Sequence, residues 1–210
     1  MSGVEAAIAA WWTGVTWAEV LGTVTGLLCV WLYGRESLWA WPLAIVNALA
    51  FMVTFFEARL YADVVLQVVF FTLSVIGWYK WLRGGPEKSR LEISRGLPAR
   101  RGLALVGSVA AISAGSGYYF AHNTNAALPY WDATILGLSL GAQWLLNRKQ
   151  LENWYVWILV DVIAVGVYAY RGLVLTSMLY AVFFGLAVRG AVSWNCAARR
   201  AERAERLAAA

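Results

Sequence analysis

Seven long apolar runs, separated by short charged or turn-forming stretches, constrain this chain more than any other feature. They span about 17–34, 38–57, 60–82, 101–120, 131–147, 151–171 and 173–195. Each approaches the roughly 20 mostly apolar residues that carry a helix across a bilayer. Continuous runs of this kind are not the ten-residue alternating strands of a membrane β-barrel. Composition agrees: 61% of the 210 residues are apolar and 14% are charged, against roughly 25% charged in a soluble domain. So little polar surface cannot coat a water-soluble globule. The predicted fold class is therefore an all-α integral membrane protein with seven transmembrane helices. No Lys or Arg precedes the first run and no cleavage site follows a short apolar core, so a removable signal peptide is not expected.

A net charge of +5 is compatible with a nucleic-acid binder, but the basic residues are sorted by loop. Of the 17 Lys and Arg, all but Arg59 and Arg171 fall on one side of a seven-crossing topology. That side holds Arg35, the cluster from Lys80 to Arg101, Arg148, Lys149, Arg189 and the Arg199–Arg206 tail. Positive residues mark the cytoplasmic side, which puts the N-terminus outside and the C-terminus in the cytoplasm. No nucleic acid is expected as a partner; the lipid bilayer is. The two cysteines, Cys29 and Cys196, cannot make a disulfide framework.

Shifting the chain by 113 residues lays 17–81 over 130–194 without a gap, with sixteen identities. The rarer residues carry the match: Trp31 falls on Trp144, Arg35 on Arg148, Trp41 on Trp154, Gly77 on Gly190 and Trp81 on Trp194, while Glu19 meets Asp132. This predicts an N-terminal segment (1–16), a three-helix unit (17–82), a basic loop (83–100), a linker helix (101–120), a second unit (131–195) and a basic tail (196–210). A three-helix unit ends on the side opposite its start, so the linker helix restores orientation for the second copy. The result is a parallel 3+1+3 repeat, with a solute site expected near mid-membrane between the copies.

Few polar residues lie deep. Asp161 sits mid-helix, about 10 Å along the axis from Trp154. A carboxylate there costs roughly 2.5 kcal/mol or more, so it faces a cavity or a polar mate. Trp154, Trp157, Asp161 and Tyr168 follow one helical stripe. The first copy offers Trp41 and Asn47 on the corresponding helix. Gln67 and its mate Tyr180 are the polar pair of helices three and seven, and Ser139, Gln143 and Asn147 form a stripe on helix five. These nine residues (Asp161, Trp157, Asn47, Gln67, Gln143, Tyr168, Tyr180, Trp41 and Trp154) are the candidate solute-binding set. Each amide equally suits an interhelical hydrogen bond, and most tryptophans, among them Trp11, Trp12, Trp41, Trp81 and Trp194, suit an interfacial aromatic belt. The three glycines Gly22, Gly26 and Gly166 are candidate flexing points, as is Pro42, although a proline near a helix start equally fits N-terminal geometry.

An aromatic face with one buried acid suits a flat cation, held by cation–π attraction, and amides suit sugar hydroxyls. A phosphate is poorly matched, because no deep cation accompanies Asp161. The set points to a dephosphorylated nucleoside or vitamin. No cofactor, metal site or catalytic residue is expected. Ala114-Gly115-Ser116-Gly117 with the single His122 lacks a second deep base for a protease, and close helix packing explains those small residues better. No Lys after Lys149 offers a retinal Schiff base, and no P-loop is present.

The ordered strings Trp41-Pro42-Leu43 with Asn47, Leu60-Tyr61-Ala62-Asp63 with Gln67, and Gly77-Trp78-Tyr79-Lys80-Trp81 resemble the PnuC family of vitamin transporters. So do Trp131-Asp132-Ala133-Thr134, Arg148-Lys149-x-Leu151-Glu152-x-Trp154, Trp157-x-x-x-Asp161 and Arg171-Gly172-Leu173. The resemblance covers most of 17–195. It implies a 3+1+3 fold shared with SWEET transporters, a homotrimer, and facilitated diffusion of nicotinamide riboside trapped by a cytoplasmic kinase. Thiamine or riboflavin are the alternative substrates it implies. One departure stands out: the second copy has Trp157 four residues before Asp161, whereas Leu43 precedes Asn47 in the first.

Overall fold

The computed structural model describes residues 17–57, 61–83, 92–124 and 127–208. The N-terminal segment with Trp11 and Trp12, Arg59, and most of the basic loop lie outside these residues, as do the side chains of Glu19 and Asp63. The described chain forms seven helices: α1 (Trp17–Gly34), α2 (Ala40–Glu57), α3 (Tyr61–Arg83), α4 (Ala99–Asn123), α5 (Pro129–Leu146), α6 (Glu152–Tyr170) and α7 (Val174–Ala208). These are the seven predicted runs. Five of the helices are long and apolar enough to cross a membrane by length and composition; α1 and α5, which are repeat mates, are the two that fall short. α1 counts here only from Val20 to Gly34, and α5 carries Pro129, Asp132 and Gln143, which lower its mean hydropathy. The protein is an all-α membrane protein.

α2 lies between α1 and α3, and α6 lies between α5 and α7. The two units meet along two seams, α1 on α7 and α3 on α5, which the 113-residue shift exchanges. Among the described residues α4 packs on α5 alone. It does so through glycines: a Cβ on Gly117 would stand 2.7 Å from the Tyr130 ring, and one on Gly141 2.9 Å from Val109. Gly115 meets nothing, and Ser116 spends its hydroxyl on the Ile112 carbonyl of its own helix. The sequence placed the small-residue packing on α4; α5 supplies much of it.

The repeat is reproduced atom by atom in the turns that join the first two helices of each unit. After α1, the N–H groups of Arg35, Glu36 and Ser37 donate to the carbonyls of Leu32, Tyr33 and Leu32, and Ala40 donates to Ser37. After α5, those of Arg148, Lys149 and Gln150 donate to Leu145, Leu146 and Leu145, and Asn153 donates to Gln150. This is the left-handed helix-ending turn, and the left-handed residues are Glu36 (φ 55°) and Lys149 (φ 50°), neither a glycine. The flanking cations match too: Arg35 lies 4.1 Å over Trp31 and Arg148 lies 4.2 Å over Trp144.

The core gathers at the Arg-rich end. Trp41 and Trp154 are 0% and 1% exposed, so neither belongs to an interfacial belt. Each indole lies on the glycine of the last helix of its own unit, Trp41 on Gly77 and Trp154 on Gly190. No larger residue leaves room there. Trp41 then meets Trp81 edge-on at 5.3 Å and 80°, and Trp154 meets Trp194 at 5.5 Å and 88°. Trp81 and Trp194 close the cluster across the unit boundary at 6.1 Å, and Trp194 donates its indole N–H to the Tyr33 carbonyl at 3.0 Å. The belt expected of Trp81 and Trp194 is likewise replaced by a buried aromatic floor.

The two seams differ, and one residue accounts for it. On the α1–α7 seam Gly34 faces Gly190, and a Cβ on Gly34 would lie 3.4 Å from the Gly190 Cα, so the backbones touch. On the α3–α5 seam the mates are Gly77 and Asn147. The Asn147 amide reaches across to the Leu73 carbonyl at 3.0 Å, and its Oδ1 occupies the space over Gly77. A side chain thus fills this seam where the other has direct backbone contact, and α3 and α5 touch far less than α1 and α7 do.

Two expectations about the termini of elements change. The predicted basic tail 196–210 is not separate: α7 continues as one helix through Ala208. Residues 92–98 of the basic loop form a strap along the second unit. Ser94 exchanges backbone hydrogen bonds with Lys149 and Leu151, Gly96 N–H donates to Glu152 at 2.6 Å, and Arg95 donates to Asn195 at 2.8 Å.

Candidate functional site

Above the aromatic floor, between the units, lies a cavity of about 300 Å³. α1, α2 and α3 line it from one side and α5, α6 and α7 from the other. Of the nine candidate residues, Asp161, Trp157, Trp154, Asn47, Gln67, Gln143 and Tyr180 stand on its wall. Trp41 and Tyr168 do not. Trp41 is enclosed by Tyr33, Trp81 and Gly77 within the floor. Tyr168 stacks on Tyr180 at 5.2 Å and 23°, behind the ring that reaches the cavity.

The helix geometry explains this placement. On α6, Trp154, Trp157 and Asp161 succeed one another by three and four residues, so one face of the helix brings them together. Tyr168, two turns beyond Asp161, backs onto α7 instead. Asp161 is 4% exposed and forms no ion pair among the described residues. Among the described residues no Lys or Arg belongs to the cavity wall. The acid therefore stands in an apolar, aromatic chamber without a protein cation.

Asn47 donates its amide to the Gly22 carbonyl. Gly26 admits this approach: its Cβ would lie 3.1 Å from the Asn47 amide nitrogen. Gly22 in turn is covered by the Phe51 ring, 2.9 Å from where a Cβ would stand. Two of the expected flexing points are thus close-packing positions between α1 and α2. Only Gly166 of the three faces open space. Gln143 is buried next to Asn147, with 3.5 Å between the amides.

The sequence passed over Tyr33 and Ser74, which also line the cavity. Their mates in the second unit, Leu146 and Ala187, line it as well. A polar residue whose repeat mate is apolar was the available signal. The Tyr33 hydroxyl and the Trp154 indole N–H are buried without a partner at ordinary hydrogen-bond geometry. Buried polar groups are nearly always paired, and the Gln143 side chain lies within reach of the Tyr33 hydroxyl. Among the described residues no cluster of His, Cys, Asp or Glu has the makings of a metal site.

Comparison with known proteins agrees with this architecture. The sequence model of a family described as "Nicotinamide mononucleotide transporter" matches residues 16–196. The nicotinamide riboside transporter PnuC of Escherichia coli (strain K12) is 30% identical over 90% of this chain and 90% of its own length. The riboflavin/roseoflavin transporter RibM of Streptomyces davaonensis is 25% identical over 90% of this chain and 89% of its own. In three dimensions, the crystal structure of the vitamin B3 transporter PnuC superposes with a TM-score of 0.70 at 19% identity, covering 94% of this chain and 88% of that one. These relatives are named as transporters, not enzymes. With nearly its whole length matched, the chain belongs to the PnuC family, the nicotinamide mononucleotide transporter family.

Proposed function

We propose that this protein takes up nicotinamide riboside by facilitated diffusion, with phosphorylation by a cytoplasmic kinase trapping the product. The carrying observation is the buried, unpaired Asp161 beside Trp157 and Trp154 on the wall of a nucleoside-sized cavity. A pyridinium ring against the Trp157 indole face gains cation–π attraction, and Asp161 supplies its countercharge in a region of low dielectric. Asn47, Gln67, Gln143 and Tyr180, with the Tyr33 hydroxyl and the Trp154 N–H, are the groups for the ribose and carboxamide. The family description speaks of a mononucleotide. A wall with an acid and no cation favours the riboside, because a phosphate would meet Asp161 unneutralised.

Trp41 and Tyr168 act from behind, by fixing the floor and the Tyr180 ring. The Arg-rich end faces the cytoplasm in this reading, the N-terminus lies outside, and the assembly is a homotrimer in the bacterial inner membrane with the SWEET-like arrangement of repeats. Riboflavin is the second reading, favoured by the likeness to RibM; thiamine follows as another cationic ring. Uptake of the three vitamins into proteoliposomes separates them. The riboside should be carried fastest, and Asp161→Ala should abolish its uptake while leaving expression and assembly intact. Uptake by Asp161→Ala at wild-type affinity would remove the mechanism.

A further inference from the structure

Residues related by the 113-residue shift line the cavity from both sides, so it sits on the axis that exchanges the units. A chamber built from equivalent halves offers a solute two orientations half a turn apart. Phe70 and Phe183 preserve that equivalence. The α2 and α6 walls break it: opposite Trp157 stands its mate Ala44, and opposite Asp161 stands its mate Ala48. Where one unit presents an indole and a carboxylate, the other presents two methyl groups. Ala48 is 1% exposed and fully packed, so its small size is built into the wall.

From this we infer that Ala44 and Ala48 are specificity determinants. Ala44 leaves the room into which a flat ring enters against Trp157, Ala48 withholds a second acid opposite Asp161, and together they confine the ring to one of the two orientations. The inference rests on the vitamin-transport reading above. Its test exchanges mates across the axis. Alone, Ala44→Trp fills the room and Trp157→Ala removes the stacking face, each lowering riboside uptake about tenfold or more. Together they rebuild the wall on the opposite unit and recover most of that loss. The pair Ala48→Asp with Asp161→Ala asks the same of the acid, and Ala44→Phe with Trp157→Ala serves where the larger ring prevents assembly.

Failure of every assembled exchange to exceed its worse single variant overturns the inference, as does normal uptake by Ala44→Trp. Wild-type protein is measured first. If it ignores the riboside but carries thiamine or riboflavin, the riboside reading falls and the exchanges are scored on the vitamin carried. If it carries none, both fall.

Below the floor, a separate pair joins the units. Glu36 and Lys149 are mates, 113 residues apart, and both hold the left-handed conformation that closes their turns. Each turn thereby aims its side chain at the axis, and Lys149 Nζ lies 2.7 Å from Glu36 Oε2. The Lys149 side chain is 3% exposed and its ammonium sits 4.6 Å over the Trp81 ring. The geometry points to a latch that holds the Arg-rich end shut and must part when the units rock. Cys29, buried on the cavity wall, reports its opening.

In a Cys196→Ser background, a membrane-impermeant maleimide is applied from the Arg-rich side. Glu36→Gln or Lys149→Met should each label Cys29 several-fold faster than the parent. The exchange Glu36→Lys with Lys149→Glu, on equivalent backbones, should return the rate to the parent's. Parent-like labelling in both single variants, or no return in the exchange, overturns the latch.

Discussion

Gly190 shows how much one residue decides. Its missing side chain is the seat of Trp154, whose ring atoms would lie 2.6 Å from a Cβ. Gly190→Ala should therefore overpack the floor, costing about 1–3 kcal/mol and lowering the melting temperature of the detergent-solubilised protein. Gly115→Ala, which meets nothing within 4 Å, should leave it unchanged. The pairing of Gly77 with Gly190 was legible in the sequence as a repeat identity. That these glycines seat Trp41 and Trp154 was not, because an indole at a helix end reads as a belt residue until its neighbours are known. Asp161 was legible for the opposite reason: a lone acid in the middle of an apolar run has few structural excuses. Tyr33 escaped notice because it lies within a turn of Arg35, where a tyrosine looks interfacial.

At the scale of elements, the turn after α5 and the turn after α1 are the same object with different cargo, and Asn147 is the difference that reshapes a seam. Asn147→Gly would give α3–α5 the bare contact of α1–α7. Spin labels on α3 and α5 should then move closer, and uptake should fall several-fold with assembly retained, since the cavity narrows. Unchanged spin-label distances would show that something other than this side chain spaces the helices. The strap gives a second check. Arg95→Ala removes hydrogen bonds to Asn195 at 2.8 and 2.9 Å and the ion pair with Glu202 at 3.5 Å. Hydrogen exchange should quicken in the segment 195–208 while the floor stays protected. The helix count and order came directly from the apolar runs. The strap and the extension of α7 did not, because a charged, weakly apolar stretch carries no signal for where it docks.

For the molecule as a whole, the two units enclose a cavity closed at one end by aromatic packing and the Glu36–Lys149 pair. Among the described residues Asp161 is the one carboxylate on the cavity wall, and the transport proposed above is uncoupled. Riboside uptake should continue with the proton and sodium gradients collapsed, and should stop accumulating once inside and outside concentrations match. Loss of uptake on collapsing either gradient would replace facilitated diffusion with coupled transport. The duplication was readable at this scale because sixteen identities fall in one unbroken register. The inequality of its halves was readable only in part: Gln67 and Tyr180 announced themselves as exact mates, whereas Ala44 and Ala48 are alanines in an apolar helix and mean nothing until Trp157 and Asp161 stand across from them.

That inequality also explains why the linker helix α4 matters although it contributes no residue to the cavity wall. Two separate copies of a single three-helix chain would have to present identical faces, giving a pocket with two acids or none. Joining the copies in one polypeptide frees each half to mutate alone. α4 is thus the covalent condition for a lopsided binding site, and a solute with a charged ring at one end and a sugar at the other is the kind of molecule that only a lopsided site can tell front from back.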